Sequence, residues 1–391
     1  MKQYYVKVRG VKTMRKRFGI FLALSLSAFL CACTTPKEAA EEKELEEQQE
    51  TIEETTEETV ADEVTEADEE GPIVSYLTGY ETTAEERDER PLAVMLNNIE
   101  AGCPQYGSSA ASIIYEAPVE GRITRLMGIF ENYEDLEKIG SVRSSRDYYL
   151  FFADEYDCIY AHFGQATLYV GDLLNSEDTD NISGAVSGID KPATNTFIRT
   201  TDRKAPHNVF ITIPGLLTDI EKFGYRTTLK EDYQSKFVFM EDGDDYYSSA
   251  DEATIIYPGG KESNKANGFS RVQARFEYNP EDGKYYRFQY GDIHIDEMTG
   301  EQLCFDNVIL QYCVGSVRDE HDYLAFGCHG NENRKVQIFT QGKMIEGYWN
   351  RADDSVPAIY TDAEGNVIPV SKGKTWICII WDDYADDVVI E

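Results

Sequence analysis

Residues 34–70 are dominated by Glu and Thr, with few aromatic side chains. Such a segment cannot bury enough apolar area to offset the entropy of ordering it, so no core can be built on it. Its like charges extend it instead. Residues 71–90 read as a second, less extreme connector. An acidic disordered linker is therefore expected over 34–90, and everything that packs is expected to begin at Pro91.

Upstream of the linker, Lys2, Lys7, Arg9, Lys12, Arg15, Lys16 and Arg17 form a basic n-region and residues 18–30 an apolar h-region. The h-region is short of the ~20 residues a membrane span needs and fits an export signal. Leu30-Cys31-Ala32-Cys33 follows. It resembles a bacterial lipobox, with Leu at −3, Ala at −1 and Cys33 as the acceptor. On that reading residues 1–33 are a lipoprotein signal and Cys33 is the lipidation site. The expected place is the outer face of the cell membrane, held by two acyl chains, which suffice for stable anchoring.

The formal net charge of −35 argues against a nucleic-acid partner, which needs a basic face. It also argues against adhesion of the folded part to an anionic bilayer. The 41% hydrophobic content is enough for a sizeable core. None of the eight cysteines forms a Cys-x-x-Cys pair, which excludes a zinc ribbon and a thioredoxin-type site. The six beyond the signal are compatible with disulfides or with free buried thiols.

Residues 91–225 are expected to form an α/β domain. Apolar runs at 92–96, 112–116 and 123–130 read as strands, and 158–161 as another. A helix is expected from a Ser144 or Ser145 cap to about Tyr156, with Asp147 in its first turn. Residues 167–174 look helical. Thr212-Ile-Pro-Gly reads as a cap and helix entry, and Gly224 as the stop. Strands and helices alternate, which is the pattern of a layered α/β unit.

Four arginines, Arg122, Arg125, Arg143 and Arg146, crowd into this stretch of an otherwise acidic chain. A guanidinium stays charged and carries five donors, so each needs a partner. Either Glu116, Glu120 and Asp147 neutralise them inside the fold, or some grip an anion. Helix starts and strand ends on one edge of an α/β sheet are where ligands bind. Ligand binding is accordingly assigned to Arg122, Arg125, Arg143 and Arg146. A catalytic alternative joins Glu120 to His162 or His207 as a general acid–base pair. A histidine at a strand end is also a common hydrogen-bonded packing residue. Nucleophile elbows, Walker loops and metalloprotease helices are absent from the sequence.

Several of these runs together, Pro91-Leu-Ala-Val-Met-Leu-Asn-Asn98, Tyr115-Glu116, Glu120-Gly121, Thr124-Arg125, Gly140-Ser-Val-Arg-Ser-Ser-Arg-Asp147 and Pro206-His-Asn208, resemble the YerB-like bacterial lipoproteins. That family consists of two consecutive domains of unknown function, and the resemblance spans residues 91–381. It implies a lipid-anchored extracytoplasmic protein of a Gram-positive type of bacterium. It implies no established reaction, and no catalytic residue is carried over from it.

Residues 235–391 read as a mainly antiparallel β domain. Residues 271–278 and 285–290 alternate polar with apolar around an Asn279-Pro-Glu-Asp-Gly-Lys turn, a hairpin signature. Further strands are expected at 237–240, 253–257, 307–312, 335–340, 344–349, 358–361 and 375–381. Asp292, His294 and Asp296 alternate on one strand-like stretch, either as metal ligands or as solvated polar residues. No cofactor and no metal are assigned. The expected fold class is α+β, an α/β domain followed by a mainly antiparallel β domain. The expected function is a binding or accessory module for an anionic cell-envelope component. The alternatives are a cell-wall-polymer hydrolase using the Glu/His pair and a scaffold for another envelope protein.

Overall fold

The apolar runs at 92–96, 112–116 and 123–130 lie side by side in one sheet. The computed structural model describes residues 72–391 apart from Ala185 and Ser355. The signal, Cys33 and most of the acidic linker lie outside the described residues. Residues 72–90, expected to continue that linker, take up defined structure. Thr83 caps a short helix, α1 (Ala84–Asp88), through a reciprocal capping box with Glu86. Val74 bridges Glu81, and Leu77 is buried in the core.

The strands β1 (Leu92–Leu96), β2 (Ile113–Val119) and β3 (Ile123–Phe130) are buried on both faces, which is why they read as largely apolar runs, interrupted by Glu116 in β2 and by Thr124 and Arg125 in β3. β3 pairs antiparallel with both β1 and β2. After β4 (Lys138–Gly140) come α2 (Asp147–Asp154), β5 (Ile159–His162), α3 (Thr167–Leu174) and β6 (Asn181–Ser183). β1, β5 and β6 run parallel, the α/β arrangement expected here. β7 (Phe197–Arg199) and β8 (Val209–Thr212) join β4 in a small sheet. α4 (Ile213–Phe223) starts at Thr212 and stops at Gly224, whose φ of +70° closes the helix.

The second half supplies β9 (Asp251–Glu252), β10 (Ile255–Tyr257), α5 (Gly268–Arg271), β11 (Arg275–Asn279), β12 (Lys284–Gln289), β13 (Asp292–Ile293) and β14 (Cys304–Phe305). Then follow β15 (Asn307–Cys313), β16 (Gly315–Val317), β17 (Leu324–Phe326), β18 (Asn331–Thr340), β19 (Lys343–Arg351), β20 (Ile359–Thr361), β21 (Thr375–Trp381) and β22 (Val389–Ile390). The class is α+β with a β-rich C-terminal half. β21 lies between β15 and β2 and runs parallel to both, so strands from the two halves share one sheet of order β20-β19-β18-β15-β21-β2-β3-β1-β5-β6. A second, antiparallel sheet runs β13-β12-β11-β10-β22.

Alternation along β2 sorts its residues onto two cores. Ile113, Tyr115, Ala117 and Val119 join Tyr148, Tyr149 and Phe152 of α2. Ile114 joins Ile256, Phe276 and Tyr285 of the second sheet, together with Trp376. Two expected strands did not form as drawn. Residues 237–240 make one bridge, Phe239 to Val370, in place of a strand. Residues 268–271, part of which was read into a strand, form α5, capped by the Asn267 side chain. Gly268 lies so close to the Ile123 carbonyl that a Cβ there would come within 2.8 Å of it. The strand begins at Arg275 instead, so that of the alternating Val272, Ala274 and Phe276 only Phe276 lies in it.

Glu116, the next inward-pointing residue of β2 on the Ile114 face, is wholly buried and meets Arg287 of β12, also wholly buried. Arg287 Nη2 lies 2.9 Å from Glu116 Oε2 and 3.2 Å from Oε1. Trp376 Nε1 of β21 donates to the same carboxylate at 3.2 Å, Thr124 at 2.6 Å and Asn98 at 3.2 Å. The guanidinium lies over the rings of Phe276 and Trp376. Removing one partner of a buried ion pair strands the other charge and costs about 3–5 kcal/mol. Arg287→Met should therefore lower the unfolding free energy in urea by that amount, and adding Glu116→Gln should recover much of it. A single variant that loses less than about 1 kcal/mol would mean that the pair does not hold the sheets together.

Candidate functional site

The segment from Ser141 to Arg146 runs along the carboxyl ends of β1 and β5. Val142 bridges Leu96, and Ser145 bridges Gln165 just past β5. The Arg143 amide donates to the Met95 carbonyl at 2.9 Å, and its carbonyl accepts from Phe163 at 3.0 Å. This path places Arg143 and Arg146 at the strand ends and delivers the chain into α2. The N-cap of α2 is Arg146, with no side-chain cap bond. Ser144 or Ser145 was expected to cap it. Instead Ser145 is buried and accepts from the Tyr160 hydroxyl at 2.9 Å.

The four arginines are not equivalent. Arg146 forms a two-pronged ion pair with Glu120, Nε to Oε2 at 2.9 Å and Nη2 to Oε1, and lies over the ring of Tyr323. Arg125 is equally buried, donates to the Ser144 carbonyl at 2.7 Å and reaches Glu120 at 3.7 Å. Arg143 is half-buried, and among the described residues its guanidinium makes one hydrogen bond, to the Pro206 carbonyl at 3.4 Å. Arg122 is exposed at the tip of the β2–β3 turn, where its φ is +57°. A hollow of about 130 Å³ opens there between Glu120, Arg122 and Trp381.

Of the three carboxylates expected to neutralise this cluster, two are engaged elsewhere. Glu116 belongs to Arg287, and Asp147 pairs with Arg318. Glu120 alone is left beside Arg125, Arg143 and Arg146. The electrostatics register the imbalance. Burial, then the charge of Arg146, pushes the Arg125 guanidinium down to about 10, against the pull of Glu120. Burial and Arg146 likewise lower Arg143. Burial would raise the Glu120 carboxyl, but the hydrogen bond and charge of Arg146, with the charge of Arg125, outweigh it and leave it below its ordinary value. A depressed pKa in a cationic site marks a functional candidate.

The two histidines go different ways. His162 is wholly buried; its Nδ1 donates to the Gly164 carbonyl at 2.8 Å and its Nε2 lies 2.7 Å from the Asn181 side-chain amide. Burial drives its pKa down to about 4, so the ring is neutral and its one N–H is spent on packing against the Gly164 carbonyl. His207 sits beside Arg143: the Asn97 amide donates to its Nδ1 at 2.9 Å, and Arg143 binds the adjoining Pro206. Burial and the Arg143 charge lower its pKa. Among the described residues neither ring meets Glu120, whose oxygens are turned to Arg146 and Arg125. The acid–base reading needed that contact. Burial also pushes the Cys103 thiol up to about 12. The six described cysteines are free.

Asp292, His294 and Asp296 do not converge. His294 bonds Gln105 at 2.7 Å, and Asp296 accepts from the amides of Gly107 and Ser109. Two residues that shape the site, Arg287 and Arg318, were not singled out from sequence. For Arg287 a signal existed: it falls in phase with Tyr285 and Gln289, the buried positions of β12. Arg318 lies in a turn with no such pattern.

Residues 77–226 match the family described as "Protein of unknown function (DUF3048) N-terminal domain", and residues 265–377 match its C-terminal domain. The chain belongs to this two-domain family, that of the YerB-like proteins. It is 27% identical over 313 residues to the Bacillus subtilis (strain 168) protein described as "Putative lipoprotein YerB", which covers 78% of this chain and 86% of the relative. The crystal structure of the YerB protein from Bacillus subtilis is similar too, with a TM-score of 0.68 at 25% identity, covering 82% of this chain and 99% of that one.

The Glu120 carboxylate, depressed in the folded state, stabilises the fold above the unfolded carboxylate range, and that stability is lost as pH falls through its folded value. Glu120→Gln should cost about 2–3 kcal/mol at pH 7, the worth of a charge-assisted pair. The gap to wild type should close as the pH is lowered below about 4. Urea unfolding of both proteins across that range checks it, and a gap that does not change with pH would contradict the assignment.

Proposed function

We propose that this is a lipid-anchored binding or accessory protein on the outer face of the cell membrane, and that it grips an anionic cell-envelope component at Arg143. One observation carries the reading: three clustered guanidiniums share one carboxylate, and Arg143, at the carboxyl ends of β1 and β5, contacts a carbonyl in place of an acid. An anion at Arg143 would relieve the mutual repulsion that lowers Arg125 and Arg143. Arg125 and Arg146, being buried, contribute field rather than contact. His207, neutral and beside Arg143, can donate to the same anion from Nε2. Arg122, exposed at the turn beside its own hollow, is the remaining candidate for direct contact. The export-signal pattern at residues 1–33 and the lipoprotein description of the relative support the anchor.

Titration calorimetry of the full-length protein in detergent, with teichoic acid and with peptidoglycan fragments, tests the ligand. Arg143→Ala is preferred to Arg146→Ala, which would break a buried ion pair and confound binding with folding. Wild type should bind one of these anions and Arg143→Ala should bind it about tenfold or more weakly, the loss of one charge-assisted contact. Equal affinity would remove the site. The anchor is tested separately by feeding cells a clickable fatty acid. Wild type should be labelled and Cys33→Ala unlabelled; label on both would reassign the acceptor.

A further inference from the structure

A cleft of about 770 Å³ lies in the second half, far in sequence from Arg125, Arg143 and Arg146. Its walls come from the loop after β10, from α5 and from β11 and β12. Lys261, Lys265, Arg271 and Arg275 line it, against one lining carboxylate, Glu262. In a chain with 72 acidic and 37 basic residues, such a concentration of cations runs against the composition and needs a reason. Its volume is that of a small-molecule or short-oligomer site.

The cations are held in place. Arg275 lies 4.2 Å from the centroid of the Phe288 ring, and Lys261 lies 5.1 Å from that of Tyr257. Such stacking fixes a cation without neutralising it. Lys261 also meets Glu391, and Arg275 meets Glu277. Arg271 is exposed and donates to the Gly121 carbonyl at 3.1 Å. Lys265 is exposed, and among the described residues no carboxylate lies within ion-pair reach of it.

The wall is fixed as well. Asn264 donates from its amide to Ser270 Oγ at 2.8 Å and from its side chain to Asp387 at 2.7 Å, where Asn267 donates at 2.9 Å. Gly260, at φ +80°, passes so near the Asp387 carbonyl that a Cβ would come within 2.5 Å of it. A cleft that exists before its ligand arrives loses little affinity to ordering.

We propose that this cleft is a second binding site, for a short oligoanion whose successive sugar or polyol units each carry a phosphate or carboxylate. Arg271 and Lys265 make the direct contacts, while Lys261 and Arg275, held by Glu391 and Glu277, form the wall behind them. The shared chemistry is a row of oxyanions, and the probes separate its two sources. They are a glycerol-phosphate hexamer, a hexamer of galacturonate and neutral maltohexaose. Each is titrated into full-length Arg143→Ala protein in detergent at physiological salt, and then into the same protein carrying Lys265→Gln and Arg271→Gln. Working in the Arg143→Ala background keeps this test independent of the first site. One of the two anionic hexamers should bind, and the added pair of substitutions should weaken it at least tenfold with an unchanged unfolding midpoint, since both side chains are exposed. Failure of both anionic hexamers to bind, equal binding of maltohexaose, or an unchanged affinity in the Lys265→Gln, Arg271→Gln protein would overturn the proposal.

Discussion

The Glu116 carboxylate is wholly buried and receives Arg287, Trp376, Thr124 and Asn98. These groups come from β12, β21, β3 and the end of β1, that is, from both halves of the chain. An unpaired carboxylate at that depth would be intolerable, so the second sheet must dock with Arg287 in register, or not at all. β21 must likewise reach β2 for Trp376 to present its indole. Apolar burial on both sides of the large sheet drives association, but it is not directional. The Glu116 cluster supplies the direction. It fixes which face of β12 meets the sheet, and with it the position of every residue that follows.

That docking also decides the charge of the candidate site. Read alone, the first half contains its own neutralising acids, Glu116, Glu120 and Asp147, within a few positions of its arginines. Folding takes two of them away. Arg287 takes Glu116, and Arg318, from the turn after β16, takes Asp147. Tyr323 of the same turn then lies against Arg146 and keeps it dry. The positive excess at Arg125, Arg143 and Arg146 is thus produced by the second half, although no residue of the second half contributes a charge to it. A first half expressed alone would have a different electrostatic site.

Much of the local structure was legible because its signals are local. α3 spans residues 167–174 as read, and α4 lies between Thr212 and Gly224 because a proline in the first turn and a left-handed glycine past the last act within one turn. β1 is apolar on both faces, and its length marks it as a strand. What was illegible depends on distant partners. Residues 72–90 look like linker by composition, yet Leu77 finds a core and Ser75 donates to Glu131 at 2.6 Å. The joining of the halves through β21 and β2 is a parallel pairing across more than 250 residues, for which an apolar run gives no register. At the site, the presence of arginines was plain in sequence. Which of them would be matched was not, because the answer lay in Arg287 and Arg318.

The net charge of −35 means that at long range this protein repels the anions it is proposed to hold. The repulsion and the attraction differ in reach. Charges spread over the surface act across many ångströms and are screened within ~8 Å at physiological ionic strength. Arg143, or Arg271 with Lys265, acts at contact, where screening is slight and a charge-assisted hydrogen bond forms. Added salt therefore weakens the opposing term before the favourable one. This is the reverse of a basic protein on a polyanion, where salt only competes. It also favours a particular ligand. A long, dense polyanion would lie across acidic surface wherever it left the cleft. A chain end or a short segment, with its charge confined to the width of the cleft, would gain the contact and avoid the surrounding field.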